Sequence, residues 1–324
     1  MSRALGLLSG GLDSTLAAMC LKRQGVDVTA IAFVTPFFGA GKARRAAEKI
    51  GIPLLVRDIG DLHLEMVKHP RYGYGKNMNP CIDCHAMMFR IAGDIMLAEG
   101  FDFLFSGEVL GQRPMSQNLS ALRAVANYSG HPDRILRPMS ARLLPATPME
   151  EQGLVDRERL LDIQGRTRRR QEAFAREWGL TDYPSSGGGC LLTEKHFSDR
   201  LRDLLTHEPG CTTRDVELLK TGRQFRLSPH ARLAVGRNQA DNEALRTLAG
   251  SDDLLLRCIG FSGPLGVLSG MADESTIASA AAVVAGYGKG SGEAAVEVLI
   301  AGAGAERAVR VPPCPPEQSR HWLL

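Results

Sequence analysis

Residues 9–14 read Ser9-Gly10-Gly11-Leu12-Asp13-Ser14, behind a short apolar run at 4–8 and ahead of Leu16, Ala17, Cys20 and Leu21 at helical spacing. A strand passing through two glycines into a helix constrains this chain more than any other feature. The glycines let the backbone approach an anion closely, the serines add hydroxyl donors, and the helix amides point at the same place. Asp13 alone suits a phosphate poorly, but it suits a site where Mg²⁺ bridges phosphate oxygens. The loop is neither a Walker A sequence, which needs a Lys before the Ser, nor a GxGxxG turn. The plain alternative is a glycine turn with an Asp at the helix start, and six positions in register behind a strand speak against it.

The alternation continues. Residues 26–34 read as a β-branched strand, 42–50 as a helix, 53–57 as a strand, 82–98 as a long helix and 101–105 as another strand. This order predicts an α/β fold with a doubly wound, mostly parallel sheet covered on both faces. A basic helix at 166–178 gives way to 182–190, too rich in Pro, Ser and Gly to continue it. A length of 324 residues fits two domains. We expect a nucleotide domain over 1–190, a linker over 191–210 and a smaller α+β domain over 211–324, with an extended surface tail at 311–317.

Composition is ordinary for a globular chain, 44% hydrophobic and 23% charged, with a formal net charge of only +3. That balance does not by itself predict nucleic-acid binding. We expect no secretory leader and no membrane span, since the longest apolar run, 277–285, is far short of the ~20 residues a span needs. Seven cysteines without a leader point to a reducing cytoplasm, where paired cysteines suggest metal or catalysis before disulfides.

The 9–14 loop resembles the SGGxDS signature of the PP-loop ATP pyrophosphatases, which cleave ATP between the α and β phosphates. The segment Ser106-Gly107-Glu108-Val109-Leu110-Gly111-Gln112, continuing to Met115-Ser116-Gln117, is similar to the second nucleotide segment of the 4-thiouridine synthetases, as is Leu136-Arg137-Pro138-Met139. Asn79-Pro80-Cys81-Ile82-Asp83-Cys84-His85 resembles the matching segment of the tRNA 2-thiouridylases. The resemblance covers about 4–190, without the ferredoxin-like, THUMP or rhodanese modules found in such enzymes. It implies the adenine nucleotide alpha hydrolase-like fold and ATP bound by Ser9, Gly10, Gly11, Leu12, Asp13, Ser14, Phe33, Gly107 and Gln112, with Mg²⁺ held partly by Asp13. Ser116 and Gln117 are expected beside the nucleotide.

Cys81 and Cys84 stand at CxxC spacing at a helix start, and Cys190 follows three glycines that allow close backbone approach. A subgroup of the PP-loop tRNA thiolases is similar, with a CxxC pair and one later Cys holding a 4Fe-4S cluster whose free iron carries a sulfide. Three readings stand: such an iron–sulfur cluster on Cys81, Cys84 and Cys190, a persulfide relay among the same thiols, or a structural zinc with His85 as fourth ligand. Cys20, Cys211, Cys258 and Cys314 read as inert.

Arg166, Arg168, Arg169, Arg170 and Arg176 give one helix a basic face, which serves as an RNA phosphate contact or is simply solvated. Residues 233–245 resemble the Gly-Arg-x-x-x-x-Asn-x-x-Leu core of the NFACT-type RNA-binding domain, which implies RNA contact by Arg237 over a domain of about 211–310. Asn238 and Asn242 there have a simpler use in bonding the backbone.

The combined expectation is an ATP-dependent tRNA sulfurtransferase, with Asp13, Cys81, Cys84 and Cys190 as its catalytic residues. A uridine carbonyl oxygen is adenylated, and sulfur then displaces AMP to leave thiouridine. The partners implied are tRNA and a sulfur donor, either sulfide or a persulfide carrier, with a homodimer as an option and no membrane. The alternatives are a PP-loop enzyme acting on a small molecule, and a nucleotide-regulated RNA-binding protein without thiolation activity.

Overall fold

The computed structural model describes residues 1–184, 189–302 and 304–324, which form two compact units, Met1–Thr193 and Glu194–Leu324. The first unit contains β1 (Arg3–Leu7), α1 (Leu12–Lys22), β2 (Asp27–Val34), α2 (Gly41–Ile50), β3 (Leu54–Asp58), α3 (Gly60–Lys68), α4 (Cys81–Glu99), β4 (Phe103–Ser106), α5 (Leu119–Ser129), β5 (Ile135–Leu136), α6 (Pro148–Glu151) and α7 (Arg169–Glu177). Its five strands are parallel in the order β3-β2-β1-β4-β5.

Central β1 is apolar on both faces because both are covered. Ala4 packs with Leu16, Ala17 and Leu21 of α1, while Leu5 packs with Phe89, Ala92 and Met96 of α4. Gly6 carries no side chain because a Cβ there would lie 2.0 Å from the Phe105 ring. Strand order reverses between β1 and β4, so the crevice beyond their carboxyl ends is where a doubly wound sheet binds its ligand. The 9–14 loop leaves β1 and the 106–112 segment leaves β4, at that switch point.

The helix at α3 occupies a stretch with no clear pattern in the sequence. Only His63, Leu64 and Val67 of its side chains reach full burial beyond Gly60, too few for a strong periodic signal.

The second unit holds α8 (Lys195–His207), α9 (Thr213–Lys220), β6 (Arg223–Ser228), β7 (Ala231–Val235), α10 (Gln239–Leu248), β8 (Leu254–Cys258), β9 (Gly266–Gly270), α11 (Glu274–Gly286), β10 (Val296–Gly302), β11 (Ala305–Val311) and α12 (Pro316–Ser319). Its sheet is antiparallel, in the order β11-β10-β8-β9-β7-β6. The apolar run at 277–285 is the buried face of α11, whose alanines let it pack closely on Leu233, Leu268 and Val298. The expected linker over 191–210 is corrected in part: α8 lies within it, because Phe197, Leu201 and Leu204 recur at helical spacing and are buried. The expected extended tail likewise ends in the short helix α12, started by consecutive prolines.

Candidate nucleotide and sulfur site

The loop after β1 closes on itself. Ser14 Oγ and Thr15 Oγ1 each donate to the Gly11 carbonyl at 3.0 Å, and the Ser9 and Ser14 hydroxyls stand 3.1 Å apart. Leu12, the first residue of α1, is buried and anchors the turn. Gly10 has φ +74°, and a Cβ there would lie 2.2 Å from the Lys42 carbonyl carbon at the start of α2. Only glycine meets both conditions. Gly107 is constrained from the other side, since a Cβ would lie 2.3 Å from the Ser14 nitrogen. The two glycine-bearing segments therefore press backbone against backbone at the N-terminus of α1.

Asp13 sits in the first turn of α1. Its Oδ2 accepts from Gln112 Nε2 at 2.7 Å and pairs with Arg168 Nη2 at 3.2 Å. Gln112 Oε1 in turn accepts from Gln171 Nε2 at 3.0 Å, and Gln171 is fully buried on α7. Asp13 Oδ1 is buried without a hydrogen-bond partner. A carboxylate with one oxygen braced and the other buried and open fits a divalent cation, so Asp13 suits the Mg²⁺ that accompanies ATP. Ser116 and Gln117 are buried, and the Gln117 carbonyl accepts from the Gly111 amide at 2.7 Å, which fixes the 106–117 segment. Phe33 is buried among Leu5, Ile31 and Phe89, so its ring belongs to the core.

Glu108 carries a second network. His85 Nδ1 donates to its Oε1 at 2.8 Å, while Arg137 Nε and Ser106 Oγ donate to its Oε2 at 2.9 and 3.1 Å. Burial alone would raise the Glu108 pKa, but the Arg137 charge and the His85 hydrogen bond outweigh it and hold the pKa down at about 2. The commitment of His85 Nδ1 to Glu108 leaves its Nε2 as the remaining ring nitrogen.

Cys81 and Cys84 occupy the first turn of α4, where Cys81 Sγ lies 3.4 Å from Asn79 Nδ2. Cys84 Sγ lies 3.2 Å from Nε2 of His63, a fully buried histidine on α3 whose Nδ1 has no partner. Burial and the nearby Cys190, Cys81 and Asp83 push the Cys84 thiol well above the usual range. Burial also lowers the His63 pKa to about 4, so its imidazole is neutral. All seven cysteines are free thiols. Gly187 and Gly188 of the three glycines before Cys190 lie outside the described residues. Among the described residues, no three His, Cys, Asp or Glu side chains are set to hold a single metal ion. Cys81 and Cys190 both lie close enough to Cys84 to raise its pKa, so the three thiols share one neighbourhood.

Residues 1–142 match the family model described as Thiamine biosynthesis protein (ThiI), and residues 222–323 match that of the NFACT protein RNA binding domain. The first unit is thus similar to ThiI over residues 1–142, and the second to the NFACT RNA binding domain over 222–323. The chain is 29% identical over 227 residues to the tRNA-specific 2-thiouridylase MnmA of Acidothermus cellulolyticus, covering 64% of this chain and 60% of the relative. It is 32% identical over 148 residues to the Probable tRNA sulfurtransferase of Staphylococcus aureus, covering 42% of this chain and 34% of that one. It thus spans roughly half of the curated relatives it matches, 60% and 54% of the first two. A predicted subunit of tRNA methyltransferase from Methanocaldococcus jannaschii is similar at a TM-score of 0.35 and 17% identity, over 55% of this chain and 76% of that one, too distant to bear on function.

Within the first unit, the residues expected on an RNA-facing helix separate. Arg168 stands just before α7 and turns its side chain to Asp13, Arg169 is exposed, and Arg170 pairs with Asp162 at 2.5 Å. In the second unit, Arg237 is exposed and pairs with Asp241 at 2.7 Å. Asn238 caps α10 by accepting from the Asp241 amide, and Asn242 Oδ1 accepts from the Leu265 amide, so both serve the backbone. Sequence reasoning did not find His63, Gln171 or the role of Arg168. Each acts on a partner distant in the chain, and only their burial pattern within α3 and α7 carried any signal.

No helix among the described residues is long and apolar enough to cross a membrane.

Proposed function

We propose that this protein thiolates a uridine of tRNA at the expense of ATP. The observation that carries the reading is the Asp13 carboxylate, braced on one oxygen by Gln112 and Arg168 and buried and open on the other, at the N-terminus of the helix behind the phosphate loop. ATP rests its phosphates on Ser9–Ser14 with Asp13 Oδ1 toward Mg²⁺, which when bound neutralises phosphate charge and stabilises the leaving pyrophosphate. The uracil carbonyl oxygen attacks the α-phosphorus, the bond to the bridging oxygen breaks, and pyrophosphate leaves. Arg168, within reach of Asp13, adds positive charge where pyrophosphate departs. The carbonyl carbon then bears AMP as a good leaving group. A sulfur nucleophile adds there and expels AMP, exchanging C=O for C=S.

Cys81, Cys84 and Cys190 handle that sulfur. Their thiolates would be the ligands of an iron–sulfur cluster, which would supply the sulfur chemistry at this site. Arg169 and Arg237, both exposed, contact RNA phosphate, and the nucleotide domain ends near residue 190. Free thiols throughout accord with a cytoplasmic protein.

The test is release of AMP and pyrophosphate from ATP with and without tRNA, followed by nucleoside analysis of the RNA. Stimulation by tRNA with appearance of thiouridine supports the reading. A second reading, sulfur transfer to a small molecule, is favoured by the thiamine biosynthesis description of the matched family. AMP release that ignores tRNA selects it.

A further inference from the structure

Residues 69–80 connect α3 to α4, and the stretch 69–78, His-Pro-Arg-Tyr-Gly-Tyr-Gly-Lys-Asn-Met, belongs to neither the nucleotide nor the cysteine motif. Tyr72 and Tyr128 are 44% and 37% exposed, although large aromatic side chains are ordinarily buried. Their ring centroids lie 5.9 Å apart, inclined by 58°. The Arg71 guanidinium stacks over both rings, 5.0 Å from the centre of Tyr128 and 5.8 Å from that of Tyr72. Among the described residues Arg71 makes no ion pair, so its charge remains available to an anion.

This patch is tied to the sulfur site by one fully buried carboxylate. Asp83 accepts from the Arg71 and Tyr72 backbone amides at 3.0 Å each, and it lies between Cys81 and Cys84 in the first turn of α4. The loop bearing Arg71 and Tyr72 is thereby held against the helix turn that bears both cysteines.

We propose that Arg71, Tyr72 and Tyr128 form a platform on which an unpaired base of the RNA substrate stacks beside the cysteine site. Exposed aromatic rings beside an arginine without an ion pair match a ligand that alternates π-faces with phosphates, which is single-stranded RNA. A uridine must be unstacked to present its carbonyl oxygen to ATP and the adjoining carbon to sulfur, and stacking on the platform offsets part of the energy lost on unstacking. The platform rests on the tRNA reading above and assigns it a place on the nucleotide domain.

The test uses the full-length protein and a tRNA transcript substituted with 5-iodouridine, which cross-links to stacked aromatic rings under long-wavelength light. A cross-link mapped to Tyr72 or Tyr128 is expected. Tyr72→Ala and Tyr128→Ala should each weaken affinity for the unmodified transcript roughly tenfold, the scale of one lost stacked base. Tyr72→Phe and Tyr128→Phe keep the ring and should bind as the parent does. Cross-links confined to other residues, or Ala variants within about twofold of the parent, overturn the platform; a surface used instead by a sulfur-carrying protein gives that result. The thiolation reading fails separately. AMP release indifferent to tRNA with the tyrosine cross-link present removes the activity and keeps the platform, and tRNA-stimulated release without the cross-link does the reverse.

Discussion

Gln112 donates its side-chain amide to Asp13 Oδ2 at 2.7 Å across 99 residues of sequence, and Gln171 holds Gln112 in turn at 3.0 Å. The carboxylate that faces the phosphate loop is thus oriented from β4's loop and from α7, not by α1 alone. Hydrogen bonds to a charged group contribute about 1.5–3 kcal/mol. Gln112→Ala should therefore raise the apparent KM for Mg²⁺·ATP by roughly tenfold or more, and Gln171→Leu should do so less, because it acts through Gln112. Titration with ATP and Mn²⁺, read by the signal of free Mn²⁺, checks this independently of turnover. Unchanged cation and nucleotide affinity in Gln112→Ala would show that Asp13 needs no brace.

Gly107→Ala places a methyl where the Ser14 nitrogen stands 2.3 Å away, with backbone on every near side. Overpacking of this kind costs about 1–3 kcal/mol, and here it falls on the phosphate loop. We expect ATP affinity to drop roughly tenfold while the circular dichroism spectrum stays that of the parent. Isothermal titration with a non-hydrolysable ATP analogue measures it.

The acid stability of the first unit should fall in two windows. His63 is neutral in the folded state with a pKa of about 4 against 6.5 unfolded, so the unfolded chain binds the extra proton and stability is lost as pH falls from 6.5 toward 4. Glu108 has a folded pKa of about 2 against 4.5, so its contribution is present above 4.5 and is lost as pH falls toward 2. Urea denaturation across pH in His63→Gln should lack the upper window. Glu108→Gln should lack the lower one and lose about 3–5 kcal/mol at neutral pH, because Arg137 is left buried without its counter-charge.

Cys81→Ser, Cys84→Ser and Cys190→Ser should each lower iron and acid-labile sulfide per chain after anaerobic reconstitution, and should spare adenylation. A broad absorbance band near ~400 nm accompanies a cysteine-held cluster in the parent. Full iron and sulfide in Cys190→Ser would remove that residue from the ligand set, and zinc alone in the parent would point to a structural site.

Arg168→Ala should slow AMP release and leave tRNA affinity within about twofold, because its guanidinium faces Asp13 at 3.2 Å. Arg169→Ala should do the opposite. Pre-steady-state AMP formation and filter binding separate the two, and equal effects of both variants on RNA affinity would return Arg168 to the RNA face.

Much of this protein is written in short-range features. The Ser9–Ser14 loop, the alternation of strand and helix, the CxxC start of α4 and the capping role of Asn238 all depend on neighbours within a few residues. Glycine conformations, helix-start chemistry and apolar spacing are local properties, and a sequence displays them directly. What turned on the tertiary structure is which distant side chains meet. Arg168 reads as one of a row of basic residues until the sheet order brings the start of α7 to Asp13. His63 lies in a stretch without clear pattern until α3 packs it against Cys84, and the Arg71–Tyr72–Tyr128 cluster exists only because α5 lies beside the loop before α4. Each such contact is one hydrogen bond, ion pair or ring stack, too small to leave a periodic mark in the chain. Its formation follows from the burial of the β1 and β4 cores, which sets the positions of the side chains at the sheet's carboxyl edge.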